Sequence, residues 1–297
     1  MTAVLAGVAA AGGFDARRAR RFLGTSAGSI VAAALAAGID PASRLGPDGA
    51  ASPGPAGSEW PEAAEEEGGR AWLTGPLAAA LELGGSAAAP IASLALSSTR
   101  AGGAVLRRAM LRRVPDGTRS LAGLGRVIAV ASPGFDGRLL VAAVDLANGR
   151  RVLFGDPDAP PATVAQAVMA SCAIPGFFAP IEIGGHRYVD GGAWSPTNMD
   201  ALPVERGERV LCLNPTGSLR PGRESLAGAL GPLSRSAAAS EALALRHRGA
   251  TVQTVNPDAA SAAAMGVNLM SRRRRDAVMA AGHAQGMRLA LSEAQAA

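Results

Sequence analysis

The chain has 297 residues, 48% of them hydrophobic, which is enough for one large domain or two small ones around a substantial core. Its net charge is +5, carried by Arg without Lys, and only 3% of residues are aromatic; with so few rings for base stacking and no recognisable module, nucleic acid is not an expected partner. Two cysteines, Cys172 and Cys212, lie far apart in apolar contexts, which predicts buried free thiols rather than a disulfide framework or a metal site.

The chain starts with an apolar run leading into Gly12-Gly13. It lacks a basic leader and a cleavage pattern, so it does not read as a signal peptide. Arg17 to Arg21 suit an exposed helix or loop end, with only Phe22 and Leu23 buried after them. Phe22-Leu23 fits the end of a strand, and Ser29 to Ala37 fits a helix closed by Gly38 and Pro41. Between them stands Gly24-Thr25-Ser26-Ala27-Gly28, a G-x-S-x-G sequence. In a strand-turn-helix setting this pattern holds a serine hydroxyl up on a sharp turn as a nucleophile. Taken alone in a chain so rich in Gly, Ala and Ser, it is equally an ordinary tight turn.

Residues 46–58 read as a flexible loop, Glu62 to Glu67 as a solvated acidic helix start, and Trp72 to Val114 as helical. Within the last, Leu77 to Ser98 is weakly apolar, but Glu82, Gly84-Gly85 and Pro90 argue against a membrane span. A buried helix pair is expected there, with a lid over a site as the functional alternative. Ala104 to Val114 is an amphipathic pattern studded with Arg107, Arg108, Arg112 and Arg113, ordinary or lying on a membrane surface. Short apolar runs follow at Val127 to Val130, Leu139 to Val144, Val152 to Phe154 and Val210 to Leu213. Leu139 to Val144 and Val210 to Leu213 look like central strands buried on both faces. Thr163 to Ser171 reads as a helix. Ile181 to Ile183 and His186 to Val189 flank Gly184-Gly185 as a hairpin that delivers Asp190-Gly191-Gly192. On its own that last triplet is a turn signal. Thr251 to Val255 predicts a late strand. Arg272 to Leu291 predicts a closing helix, with Val278, Met279 and Met287 in the core. Strands interleaved with helices predict an α/β fold.

The elbow at 24–28, then Ser171, Ala173, Pro175, Phe178 and Pro180 in S-x-A-x-P-x-x-F-x-P spacing, then Asp190-Gly191-Gly192 with Pro196 and Asn198 behind it, resemble the patatin-like phospholipase family over most of the chain, from about Leu5 to the closing helix. The resemblance implies a single domain over 1–297, a three-layer α/β sandwich with a central, largely parallel sheet and a variable helical cap around 60–115. It implies hydrolysis of lipid acyl esters through an acyl-serine intermediate, with Ser26 as nucleophile, Asp190 as its partner, Gly24, Ala27, Gly28, Gly191 and Gly192 in support, and neither metal nor cofactor. A dyad also suits the three histidines, His186, His247 and His283, none of which sits in a triad context. An ordinary Asp, with a pKa of about 3.9, is a weak base at neutral pH. Burial among Tyr188, Val189, Ala193 and Trp194 would raise it.

The family draws most of its oxyanion hole from a Gly-rich loop between its first strand and first helix. By the resemblance, the apolar start before Gly12-Gly13 looks like the helix that follows that loop, and Gly12-Gly13 lies in the wrong place to substitute. Two expectations compete: a frame that begins further upstream, or a non-catalytic lipid- or membrane-binding relative. A hydrolase of small soluble esters is a third. The N–H after Ser26 would supply one oxyanion donor in any case. The Arg clusters at 17–21, 107–113 and 272–275 are solvated faces or attract anionic head groups, which is compatible with a cytoplasmic protein in peripheral contact with a membrane. Loss of a central strand would leave an exposed sheet edge and poor solubility. The oligomeric state is open.

Overall fold

A computed structural model describes residues 1–45, 101–132, 134–218, 227–266 and 272–296. The expected loop at 46–58, the acidic stretch at 62–67, the apolar stretch at 77–98 and most of the expected cap lie outside the described residues. In chain order the described elements are α1 (Thr2–Ala10), β1 (Phe22–Thr25), α2 (Ala27–Ala36), α3 (Ala101–Leu111), α4 (Ala122–Ala131), β2 (Leu139–Asp145), β3 (Arg151–Phe154), α5 (Val164–Cys172), β4 (Ile181–Ile183), β5 (His186–Asp190), β6 (Arg209–Leu213), α6 (Ala227–His247), β7 (Thr251–Val255), α7 (Ala259–Met265) and α8 (Arg275–Ala296).

β2 organises the larger sheet. All seven of its residues are buried, as expected for an apolar run without alternation. β1 pairs with it in parallel along Leu139 to Ala142, and β5 pairs antiparallel along Ala143 to Asp145. β3 opposes Val141 to Val144, overlapping both registers, so β1 and β5 follow one another along one edge of β2 and β3 takes the other. β4 and β5 form the expected hairpin, whose turn glycines Gly184 and Gly185 both have positive φ, 59° and 78°. Helices α2, α4 and α5 bury Ala32, Leu35, Ile128, Val164 and Val168 in the main core with β2 residues Leu139, Val141 and Ala143. The start of α5 is fixed by a capping box between Thr163 and Gln166.

The second sheet has two parallel strands, β6 and β7, covered by Ala238, Ala242 and Leu245 of α6. Within the described residues it shares no backbone pairing with the larger sheet. A cavity of about 1610 Å³ lies between them, bordered by residues 20–23 and 25–26 on one side and 208–213 on the other. At one end Arg20 bridges it, pairing with Glu205 at 2.8 Å and Glu208 at 2.9 Å. The chain is thus an α/β sandwich with parallel strands in both sheets.

Three expectations are corrected. Val210 to Leu213 alternates buried and half-buried instead of being buried on both faces, because Val210 and Cys212 pack under α6 while Leu211 and Leu213 face the cavity side. Val127 to Val130, one of the short apolar runs, is helical, with Val130 88% exposed at the end of α4. Met287 points outward, since α8 meets α1 through glycines: a Cβ at Gly286 would sit 2.0 Å from the Val4 carbonyl oxygen, too close for a side chain to pack between. No helix among the described residues is long and apolar enough to cross a membrane.

Candidate active site

β1 ends at Thr25 and α2 begins at Ala27, so Ser26 alone makes the turn. Its backbone has φ 52° and ψ −128°, a conformation L-residues rarely adopt. The preceding glycine is sterically required: a Cβ on Gly24 would lie 2.4 Å from Ser29 Cα and 2.7 Å from its N. Gly28 is different, with no heavy atom within 4 Å of its missing Cβ, so that side of the elbow stands open. The Ser26 N–H donates to Ser171 Oγ at 2.9 Å, and the Ser29 hydroxyl returns to the Ser26 carbonyl at 2.6 Å. Ser171 is fully buried at the end of α5. Its place in the S-x-A-x-P run therefore has a physical reason: it locks the strained peptide of the elbow from beneath.

Asp190 arrives from the neighbouring strand. Thr25 opposes Ala142 and Asp190 opposes Ala143, so Ser26 and Asp190 sit at the same level of β2, where one of its partners gives way to the next. The Ser26 and Asp190 side chains border the same cavity, and Ser26 favours the ionised form of the Asp190 carboxylate. The same carboxylate accepts the Gly192 N–H at 2.6 Å. Burial dominates its chemistry: the carboxyl is pushed up to about 6, even though Ser26 and the Gly192 N–H favour the ionised form. Cys172 lies close enough to Asp190 that burial and this carboxylate together hold its thiol well above the usual range. Gly191 allows the close approach that the two glycines promise, since a Cβ there would be 2.4 Å from the Ala142 carbonyl oxygen.

The turn after Asp190 is braced from two directions. Asn198, fully buried with φ 51°, donates through Nδ2 to the carbonyls of Gly191 (3.1 Å) and Ser195 (2.6 Å) and to Thr25 Oγ1 (3.1 Å). It thereby ties the end of β1 to the segment leaving β5. From α3, the buried Arg107 donates Nε to the Ala193 carbonyl and Nη1 to the Gly149 carbonyl, both at 2.9 Å, and its guanidinium lies 4.0 Å from the Trp194 ring centre. Arg151 stacks on Trp194 as well, at 5.3 Å, while holding Asp200 with two bonds of 2.6 and 3.0 Å.

The geometry places Ser26, Gly24, Gly191, Gly192 and Asp190 close together at the meeting of β1 and β5 on β2. Tyr188 and Val189 are buried, but in separate clusters, Tyr188 in the main core and Val189 with Leu111 and Val144, so the pocket around Asp190 is made as much by Cys172. None of the three histidines lines the cavity that Ser26 and Asp190 share. His186 instead faces Asp145 at 3.1 Å, at the other end of β5. Arg107 was expected only as one of a basic cluster. It is buried where its neighbours Arg108 and Arg112 are exposed, and its position among Gly103, Ala104 and Leu111 on the inward face of α3 is the signal that distinguishes it.

The cavity's inner walls are apolar, including Phe22, Val31, Leu35, Leu124, Phe178 and Leu213. At about 1610 Å³ it exceeds the roughly 300–1,000 Å³ of common ligand pockets. A search of curated proteins finds no match to the chain. The family model for patatin-like phospholipase matches residues 2–203, which contain the elbow, the S-x-A-x-P run and Asp190, and the chain belongs to that family.

Proposed function

We propose that the chain is a lipid acyl hydrolase that works through a Ser26–Asp190 dyad. The observation that carries this reading is that Ser26, on its strained turn, and the buried Asp190 carboxylate, lifted to about 6, meet at the wall of one large apolar cavity. A base poised there is ionised at neutral pH yet strong enough to take a serine proton in the transition state. Ser26 Oγ attacks the ester carbonyl carbon as its proton passes to Asp190. The tetrahedral oxyanion collapses, the C–O bond to the alcohol breaks, and the leaving alkoxide takes the proton from Asp190. Water then attacks the acyl-Ser26 carbonyl, losing a proton to Asp190, and the carboxylic acid departs as Ser26 Oγ recovers that proton. The apolar walls suit an acyl chain in preference to a small soluble ester.

The oxyanion needs donors aimed at the developing charge. Ser26's own N–H is engaged by Ser171, so it does not serve. The first N–H groups of a helix have no intrahelical acceptor, and α2 has no side-chain cap, which leaves Ala27 and Gly28 to donate at the positive end of a ten-residue helix. The open side at Gly28 gives the oxyanion room.

The second reading is a non-catalytic lipid-binding member, favoured by the occupied Ser26 N–H. Fluorophosphonate labelling separates the two, with Ser26→Ala as control, on this chain and on a form carrying in-frame upstream residues. Labelling of this chain at Ser26 supports the dyad with α2 donors. Labelling of the extended form alone supports the dyad with further donors from the added residues. Absence of labelling in both, with each folded, overturns the hydrolase in favour of lipid binding. Peripheral membrane contact through the exposed Arg108 on α3 and Arg112 and Arg113 just after it belongs to either reading, and co-sedimentation with anionic against neutral vesicles tests it.

A further inference from the structure

The family match ends at residue 203, yet one group that holds the site lies beyond it. α6 turns Ser234, Ala238, Glu241, Ala242 and Leu245 inward. Four of these are small or apolar, and one is a carboxylate only 6% exposed. A buried carboxylate is costly unless donors surround it. Glu241 Oε2 accepts the Met199 N–H at 2.8 Å and the Thr197 hydroxyl, and the nearby Ser195 side chain also favours the ionised carboxylate. The charge that bears on it is Asp200, of like sign, itself held by Arg151. Burial pushes the Glu241 carboxyl upward while Ser195, Thr197 and Met199 oppose the rise.

Every one of those donors lies in the 195–199 turn, and the residue at its centre is Asn198. Asn198 reaches Gly191, next to Asp190, and Thr25, next to Ser26. Thr25 Oγ1 also approaches the Thr197 carbonyl, at 3.5 Å. A helix packed on the smaller sheet therefore grips the turn that ties together the strands bearing Ser26 and Asp190 in the larger one.

We propose that Glu241 is a positioning residue for the Ser26–Asp190 pair, drawing the 195–199 turn onto the ends of β1 and β5 so that Asn198 fixes their separation. The catalytic consequence rests on the dyad reading above; the mechanical link does not. Hydrogen exchange and fluorophosphonate labelling of the full chain test the two separately, using Glu241→Leu, Glu241→Gln and Thr197→Val. Glu241→Leu is expected to accelerate exchange about tenfold or more in the 195–199 turn and also at residues 191–194 and 24–28, with residues 139–154 unchanged. Glu241→Gln, which keeps an acceptor oxygen, and Thr197→Val, which removes one donor, are expected to give smaller changes with the same pattern. Labelling at Ser26 is expected to slow on the order of a hundredfold in Glu241→Leu and to recover largely in Glu241→Gln. Acceleration confined to 195–199, or spread evenly over 139–154, overturns the proposal, the second because it marks a merely structural residue. If wild type does not label but exchange spreads as described, the positioning role stands and the dyad reading falls. If Glu241→Leu does not fold, the Glu241→Gln and Thr197→Val patterns decide by the same criteria.

Discussion

Asp190→Asn should make the protein more stable at neutral pH while abolishing its chemistry. The native carboxyl sits near 6 because burial penalises its charge, whereas the unfolded chain holds it near its ordinary value of 3.8. The sign follows directly. Below the unfolded value both states are protonated and no penalty applies. Between the two values the folded state binds more protons, so stability falls as pH rises, and above the folded value the whole cost of ionising the buried group is borne. With about 1.4 kcal/mol for each pH unit between the two values, that cost is about 3 kcal/mol. Asn does not titrate, and its Oδ1 can still accept the Gly192 N–H that the carboxylate takes at 2.6 Å. The stability gap, Asn over Asp, should therefore be small near pH 4, open through pH 5 to 6 and level off near 3 kcal/mol above pH 7, about 6–12 °C in melting midpoint for a chain of this size. Urea titrations of both proteins from pH 4 to 8 measure it, and groups common to both cancel. A gap that does not change with pH would refute the burial account of Asp190. A gap that narrows as pH rises would invert it.

Several other substitutions have defined outcomes. Ser26→Gly should exceed Ser26→Ala in stability by about 1 kcal/mol, because both lose the hydroxyl and only Gly relieves the turn at φ 52°; equal midpoints in urea would show the elbow to be unstrained. Gly24→Ala should cost about 3 kcal/mol by driving a Cβ into the backbone of Ser29, whereas Gly28→Ala, facing open space, should cost nothing and gain up to about 1 kcal/mol of helix propensity. Arg107→Met should cost about 2–4 kcal/mol by stranding the carbonyls of Ala193 and Gly149, and it should change the fluorescence of Trp194 by removing the cation from its ring. Labelling at Ser26 should rise with pH through about 6 as Asp190 ionises, and a profile flat from pH 5 to 8 would exclude it as the base.

The strand-turn-helix at Ser26 was legible because it is local: periodicity, glycine and a helix stop all fall within twenty residues. The hairpin delivering Asp190 was legible for the same reason. What the sequence alone could not supply was the level at which the two meet, since that is set by the register of β1 and β5 on β2, a strand more than a hundred residues after the elbow. Glu241 and Arg107 were missed because both look like ordinary charges on amphipathic helices. Only the phase of each helix, with Ala238, Ala242 and Leu245 beside one and Gly103, Ala104 and Leu111 beside the other, marks them as inward. The half-buried pattern of β6 was misjudged because an apolar run does not state what each of its faces meets, and this one borders a cavity.

That cavity has a thermodynamic consequence. Among the described residues the two sheets share the cavity wall, touching through Leu211 and Leu213, with the Arg20 ion pairs and the grip of Glu241 on the 195–199 turn as further links. A bound acyl chain would complete the interior between them, so lipid affinity and folding are linked quantities. A ligand at a hundred times its dissociation constant adds about 2.7 kcal/mol to the folded state, comparable to a well-filled core position. On the proposed function, conformational stability would depend on the lipid surroundings as well as on the sequence, and preparations that differ in carried-over fatty acid should melt at different temperatures.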